Sequence, residues 1–70
     1  MKKEILAKFG NKVREERLKR NLSQEKFAEI IGIHRTYIGM IERAEKNITL
    51  LNIKKLADGL GISVSDLMKF

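Results

Sequence analysis

No proline occurs in these seventy residues, and apolar side chains recur at steps of three and four along them. Proline disrupts helix interiors because it lacks an N–H and its ring collides with the preceding turn. A chain free of it, with a helical apolar period and no sustained two-residue alternation, reads as helix throughout. Seventy residues make one domain, residues 1–70, around one small core, burying roughly 60% of the unfolded surface. A buried multi-step active site does not fit in such a core.

Five segments follow from the periodicity and its punctuation. Helix 1 is expected over Lys3–Arg20, with Leu6, Phe9, Val13 and Arg17 on one face. Asn21 ends it, and Ser23 caps a short second helix over residues 24–31 that turns Phe27, Ala28 and Ile31 inward. Gly32 suits a turn at positive φ, and Ile33 anchors that turn in the core. Helix 3 is expected over Arg35–Arg43 with Ile38 and Ile41 inward, behind His34, a weak N-cap or a phosphate contact. After a polar loop at 44–48, Thr49 caps helix 4, where Ile53, Leu56, Ala57 and Leu60 share a face and Gly61 ends the run. Ser63 and Asp66 form a capping box opening a last short helix that carries Val64, Leu67, Met68 and Phe70. The fold class is all-α, a compact five-helix domain.

Fifteen Lys+Arg against nine Asp+Glu give a charge of +6, which favours anionic partners, nucleic acid before membrane surface. The excess is uneven: eight cations to three acids in residues 1–22, four of each in 23–46, and three to two in 47–70. Lys12, Arg14, Glu15, Glu16, Lys19 and Arg20 read as solvated helix faces that supply long-range attraction. Without cysteine there is no disulfide and no thiolate zinc site, and His34 alone cannot assemble a metal centre, so neither metal nor cofactor is expected. Lys8 interrupts the apolar stretch Ile5-Leu6-Ala7 too early for a signal peptide, and no run approaches the ~18 to 20 apolar residues of a membrane span. A soluble, cytoplasmic, nucleoid-associated protein is the expectation. With no Gly-rich phosphate loop and no nucleophile beside a histidine, an enzyme is not; Glu25 and Glu29, four apart, read as an exposed helix face.

The informative span is Ser23–Arg43: a capped short helix, a Gly turn and a second short helix. That layout places a second, recognition helix in the major groove of DNA. The residues Leu22-Ser23-Gln24-Glu25-Lys26-Phe27-Ala28 resemble the phage-repressor-like (XRE or Cro type) helix-turn-helix family, and the similarity covers residues 9–70. More narrowly, Arg35-Thr36-Tyr37-Ile38, Ile41-Glu42-Arg43 and Asn47-Ile48-Thr49-Leu50 resemble the controller proteins of restriction–modification systems. The resemblance implies a repressor-like domain in a homodimer that binds an operator upstream of its own gene and the endonuclease gene. Ala44-Glu45 departs from the family, where many members have Gly and a basic or polar residue, and Gly39 replaces a frequent Ser.

Spacing at 100° per residue puts Thr36, Gly39, Met40 and Arg43 on one side of helix 3, and Ile38, Ile41 and Glu42 on the other. Base readers are therefore expected at Arg35, Thr36, Gly39, Met40 and Arg43. Arg35 suits the O6 and N7 of guanine, Thr36 a thymine methyl or a phosphate, and Gly39 a close approach of DNA. Met40 packs on a thymine methyl or lies exposed or dimer-facing. Backbone contacts are expected from Ser23, Gln24, Tyr37, Arg43, Lys46 and Asn47, with Tyr37 equally suited to covering the core edge and Lys46 to a solvated loop. Arg17 continues the apolar stripe of helix 1, and Glu42 follows Ile38 by four, so charges on two inward faces call for an Arg17–Glu42 salt bridge, as the family resemblance also implies.

One domain reading three or four bases discriminates weakly, and a two-fold dimer on a palindromic double-stranded operator is the expected remedy. Leu51, Leu60, Val64, Leu67, Met68 and Phe70 offer the apolar material, more than one short helix pair buries. The expected function is a sequence-specific transcriptional regulator of controller type, with no small-molecule ligand and no membrane partner. Alternatives are a phage-type repressor or antitoxin-type regulator of the same family, or a protein-binding adaptor without DNA contact.

Overall fold

The computed structural model describes the backbone of residues 2–70 and the side chains of residues 4–70. Its helices are α1 (Lys2–Lys19), α2 (Gln24–Ile31), α3 (Arg35–Glu42), α4 (Leu50–Leu60) and α5 (Val64–Leu67). All five lie where the apolar periodicity puts them. α1 and α3 each end one residue earlier than expected, because Arg20 turns out of α1 and Arg43 is the C-cap of α3, at φ −91° and ψ 6°.

The core draws Phe9 and Val13 from α1, Phe27 and Ala28 from α2, Ile38 and Ile41 from α3, Leu56, Ala57 and Leu60 from α4, and Leu67 from α5. α1 packs across α3, α4 and α5, while α2 is wedged between α3 and α4. The α1–α3 crossing is close because Gly10 has no side chain: a Cβ there would stand 2.5 Å from the carbonyl oxygen of Ile41.

Three of the four helix junctions share one three-residue design. Asn21-Leu22-Ser23, Gly32-Ile33-His34 and Gly61-Ile62-Ser63 each combine a left-handed residue, an apolar residue and an N-cap. In each, the apolar residue's N–H closes the preceding helix onto a carbonyl five residues back, as in Leu22 to Arg17, Ile33 to Ala28 and Ile62 to Ala57. Its side chain packs on the core, as does the residue four beyond the cap: Phe27, Ile38 and Leu67. One apolar residue thus ends one helix and staples the next. Left-handed backbone strains a residue with a Cβ; Gly32 and Gly61 avoid this at φ +70° and +71°, and Asn21 tolerates it at φ +56°.

The α3–α4 junction breaks the design. Its left-handed position is Ala44 at φ +61°, and the next residue is Glu45, whose N–H still closes α3 onto Met40 at 2.8 Å. Replacing Ala44 with glycine relieves that strain and should stabilise the domain by about 0.5–1 kcal/mol after the added unfolded-chain entropy. Thermal unfolding is expected to shift upward by roughly 3–6 °C.

Glu16 and Arg20 are not the solvated pair that the charge run suggests. Glu16 is only 6% exposed. Its carboxylate gathers Arg20 at 2.8 Å, Lys12 at 3.1 Å and Lys19 at 3.3 Å, and Arg20 Nε donates to the carbonyl of Leu60 at 2.8 Å, tying α1 to the end of α4. The Arg20 hydrogen bond, helped by Lys12 and Lys19 and opposed by burial, lowers the Glu16 pKa to about 2. A depressed carboxylate pKa contributes stability that is present above the ordinary range near 4.5 and lost as pH falls toward 2. Urea unfolding stepped from neutral pH to about pH 2 should show a loss on the order of 2 kcal/mol from this residue, absent in Glu16→Gln. Parallel pH profiles for parent and variant would count against the assignment.

Candidate nucleic-acid interface

Arg17 and Glu42 meet in a two-pronged pair, Nε to Oε2 at 2.7 Å and Nη2 to Oε1 at 2.9 Å, with side chains 8% and 4% exposed. Arg17 Nη1 donates to the carbonyl of Leu22 at 2.7 Å, so the guanidinium also fixes the α1–α2 junction. The hydrogen bond to Glu42 raises the Arg17 pKa further above its ordinary value, keeping the pair closed. Glu42 Oε1 accepts a third bond, from Gln24 Nε2 at 3.1 Å. A side chain at the start of α2 is thereby held by the pair that joins α1 to α3.

Around Gln24 the surface forms a shallow notch lined by Arg35, Thr36, Gly39 and Arg43. These residues come from the first turn of α2 and one face of α3, brought together by the Gly32 turn. α3 is eight residues long, and the ~10–12 Å diameter of an α-helix with its side chains is what a B-DNA major groove, about 12 Å wide, admits. Arg35 and Thr36 are exposed at its start, with the His34 Nδ1 accepting from the Thr36 N–H at 3.1 Å as the cap. Met40 is half-buried beside them, and Lys46 and Asn47 lie exposed in the following loop.

Several expected roles change. Gly39 is buried; an added Cβ would stand 2.9 Å from Arg43 Nη1 and 3.5 Å from Gln24 Oε1, so its bareness admits the Arg43 guanidinium. Gln24 spends one amide hydrogen on Glu42 and keeps the other, together with the free backbone N–H groups of the α2 first turn beside the Ser23 cap. Tyr37 packs on the core, its hydroxyl accepting from Asn52 Nδ2 at 3.3 Å. Of the residues expected at a dimer interface, Leu60 and Leu67 are 3% and 0% exposed, because Leu60 follows Leu56 on the inward face and Leu67 is the stapled position of α5. They are core residues, and Val64 is half-buried against that core, whereas Leu51, Met68 and Phe70 are exposed.

Two carboxylates escape sequence inspection. Glu25 Oε2 pairs with Arg35 Nη1 at 3.0 Å, and Glu45 holds Arg43 at 2.9 and 3.3 Å, raising the Arg43 pKa and lowering its own. Neither pair has helical spacing, so only the folded α2–α3 angle and the Ala44 turn bring the partners together. No group of three or more His, Cys, Asp or Glu side chains among the described residues is placed to hold a metal. No helix among them is long and apolar enough to cross a membrane.

A helix-turn-helix family model matches residues 13–67, nearly the whole of this architecture. The control protein C.BamHI of Bacillus amyloliquefaciens is 51% identical over 63 residues, 89% of this chain and 78% of its own. The chain belongs to the helix-turn-helix family, close to the restriction–modification controller proteins. The solved controller protein C.AhdI from Aeromonas hydrophila superposes with a TM-score of 0.86 at 45% identity, over 89% of this chain and 94% of that one. C.Esp1396I, solved as a tetramer on its natural 35-base-pair operator, matches with a TM-score of 0.83 at 28% identity over 91% and 88% of the two chains. This controller-type chain is a DNA-binding regulator.

Arg17→Met leaves Glu42 buried with only Gln24, and should cost about 3 kcal/mol or more in urea unfolding. Adding Glu42→Leu removes the stranded charge and should recover most of that loss. A single variant as stable as the parent would refute the bridging role.

Proposed function

We propose that two copies of this chain bind a palindromic duplex, each placing α3 in the major groove, and control the genes of a restriction–modification system. The observation that carries this is the notch: Gln24, Arg35, Thr36 and Arg43 converge on one face, with donors for base edges and phosphates. The 51% identity to a control protein and the operator named for C.Esp1396I support it. Arg35, Thr36 and Arg43 read bases, Met40 contributes apolar contact at the groove edge, and Lys46 and Asn47 clamp the backbone with Gln24 and Ser23. Leu51, at 78% exposed, and Phe70, at 49%, join Met68 on the two-fold interface.

Selection of bound duplexes from a randomised pool tests this directly. Recovered sites should be two inverted half-sites separated by about one DNA turn, ~34 Å. Arg35→Ala should flatten preference at one base pair per half-site by roughly tenfold or more. Lys46→Ala should weaken binding across all sequences and reduce the salt dependence. A random pool returned without enrichment would refute the proposal, and single half-sites would refute the dimer.

A further inference from the structure

The segment that forms the notch, residues 23–46, carries four cations and four carboxylates, and the fold closes most of them on one another. Glu42 turns inward to Arg17, and Lys26 lies 3.7 Å from Glu29. Glu25 holds Arg35 at 3.0 Å across the α2–α3 angle, and Glu45 holds Arg43 with two bonds across the Ala44 turn. Both arginines of the notch are therefore ion-paired before DNA arrives.

These two pairs do little for the fold. The side chains of Glu25 and Arg35 are 69% and 66% exposed, those of Glu45 and Arg43 49% and 57%, and exposed pairs contribute close to nothing to stability. Their effect falls on an approaching polyanion. A phosphate attracts the guanidinium and repels the carboxylate some 3 Å away, so the two largely cancel. A guanine edge is different: it is uncharged and presents two acceptors in the fork geometry of arginine, so it can replace a carboxylate without meeting its repulsion. General attraction is left to α1, with its surplus of cations in residues 1–22.

Resting on the DNA-binding function above, we propose that Glu25 and Glu45 are specificity-determining residues that compete with phosphate for Arg35 and Arg43 and yield to guanine. They raise discrimination by weakening the wrong complex, not by strengthening the right one.

The test is Glu25→Gln, Glu45→Gln and the double variant, each first checked by circular dichroism. Binding is measured by fluorescence anisotropy across a salt series, on the tightest duplex from the randomised pool and on a shuffled duplex of the same composition. Each substitution should tighten binding to the shuffled duplex by roughly 3- to 10-fold and steepen the salt slope by about 0.9, the increment for one further phosphate neutralised. Binding to the selected duplex should tighten less, so the ratio of the two affinities falls, furthest in the double variant. An unchanged or increased ratio would overturn the proposal. So would a loss confined to the selected duplex, which would mark the carboxylate as a reader of cytosine. If the parent chain itself prefers no duplex, the DNA-binding function fails and this proposal with it; if the parent discriminates and the variants match it, only this proposal fails.

Discussion

The pairing of Arg17 with Glu42 is the constraint on which the notch between α2 and α3 depends. One guanidinium grips α3 through two bonds and the α1–α2 junction through a third, and the same carboxylate reaches on to Gln24. Three helices are thus referenced to one buried charge pair. Buried ion pairs are poor sources of net stability, since desolvation consumes most of the attraction, but their geometry is demanding. A purely apolar contact between α1 and α3 would pack as well and leave Gln24 free to rotate. What the pair supplies is the position of the α2 start relative to the face of α3.

That precision rests on a scaffold ordered by short-range rules. Leu22, Ile33 and Ile62 each terminate one helix and anchor the next, so the angle between consecutive helices is fixed within a few residues. The junction after α3 lacks this device. With Ala44 in a glycine conformation and Glu45 where an apolar anchor stands elsewhere, it trades packing for a charged loop beside the notch. Local rules are relaxed at the junction that follows α3 beside the notch, a pattern expected where recognition competes with stability.

Nearly all of the fold is legible in the residue order, because the signals are local. The N-caps Ser23, His34, Thr49 and Ser63 each accept from a backbone N–H in the first helical turn, and the apolar stripes supply the core. The Arg17–Glu42 pair is legible too, since each charge interrupts an apolar face. Long-range polar geometry is not. Nothing in the run Lys12 to Arg20 shows that Glu16 is buried and Arg20 bonded to Leu60, because that depends on where the end of α4 lands. Surplus apolar residues are equally ambiguous: Leu60 and Leu67 are inward while Leu51 and Phe70 are not, a distinction set by helix rotation against neighbours. Glu25 and Glu45 stand near their arginines only once the two turns have formed.

The three-residue junctions also bear on time. Each is decided by neighbours along the chain, so little loop-closure entropy opposes its formation, and helical domains of this kind fold in microseconds to milliseconds. With no proline there is no peptide isomerisation to impose a phase of tens of seconds. Synthesis at about 5–20 residues per second is far slower. The supply of folded regulator therefore follows its own translation without lag, and any delay before it acts arises after folding.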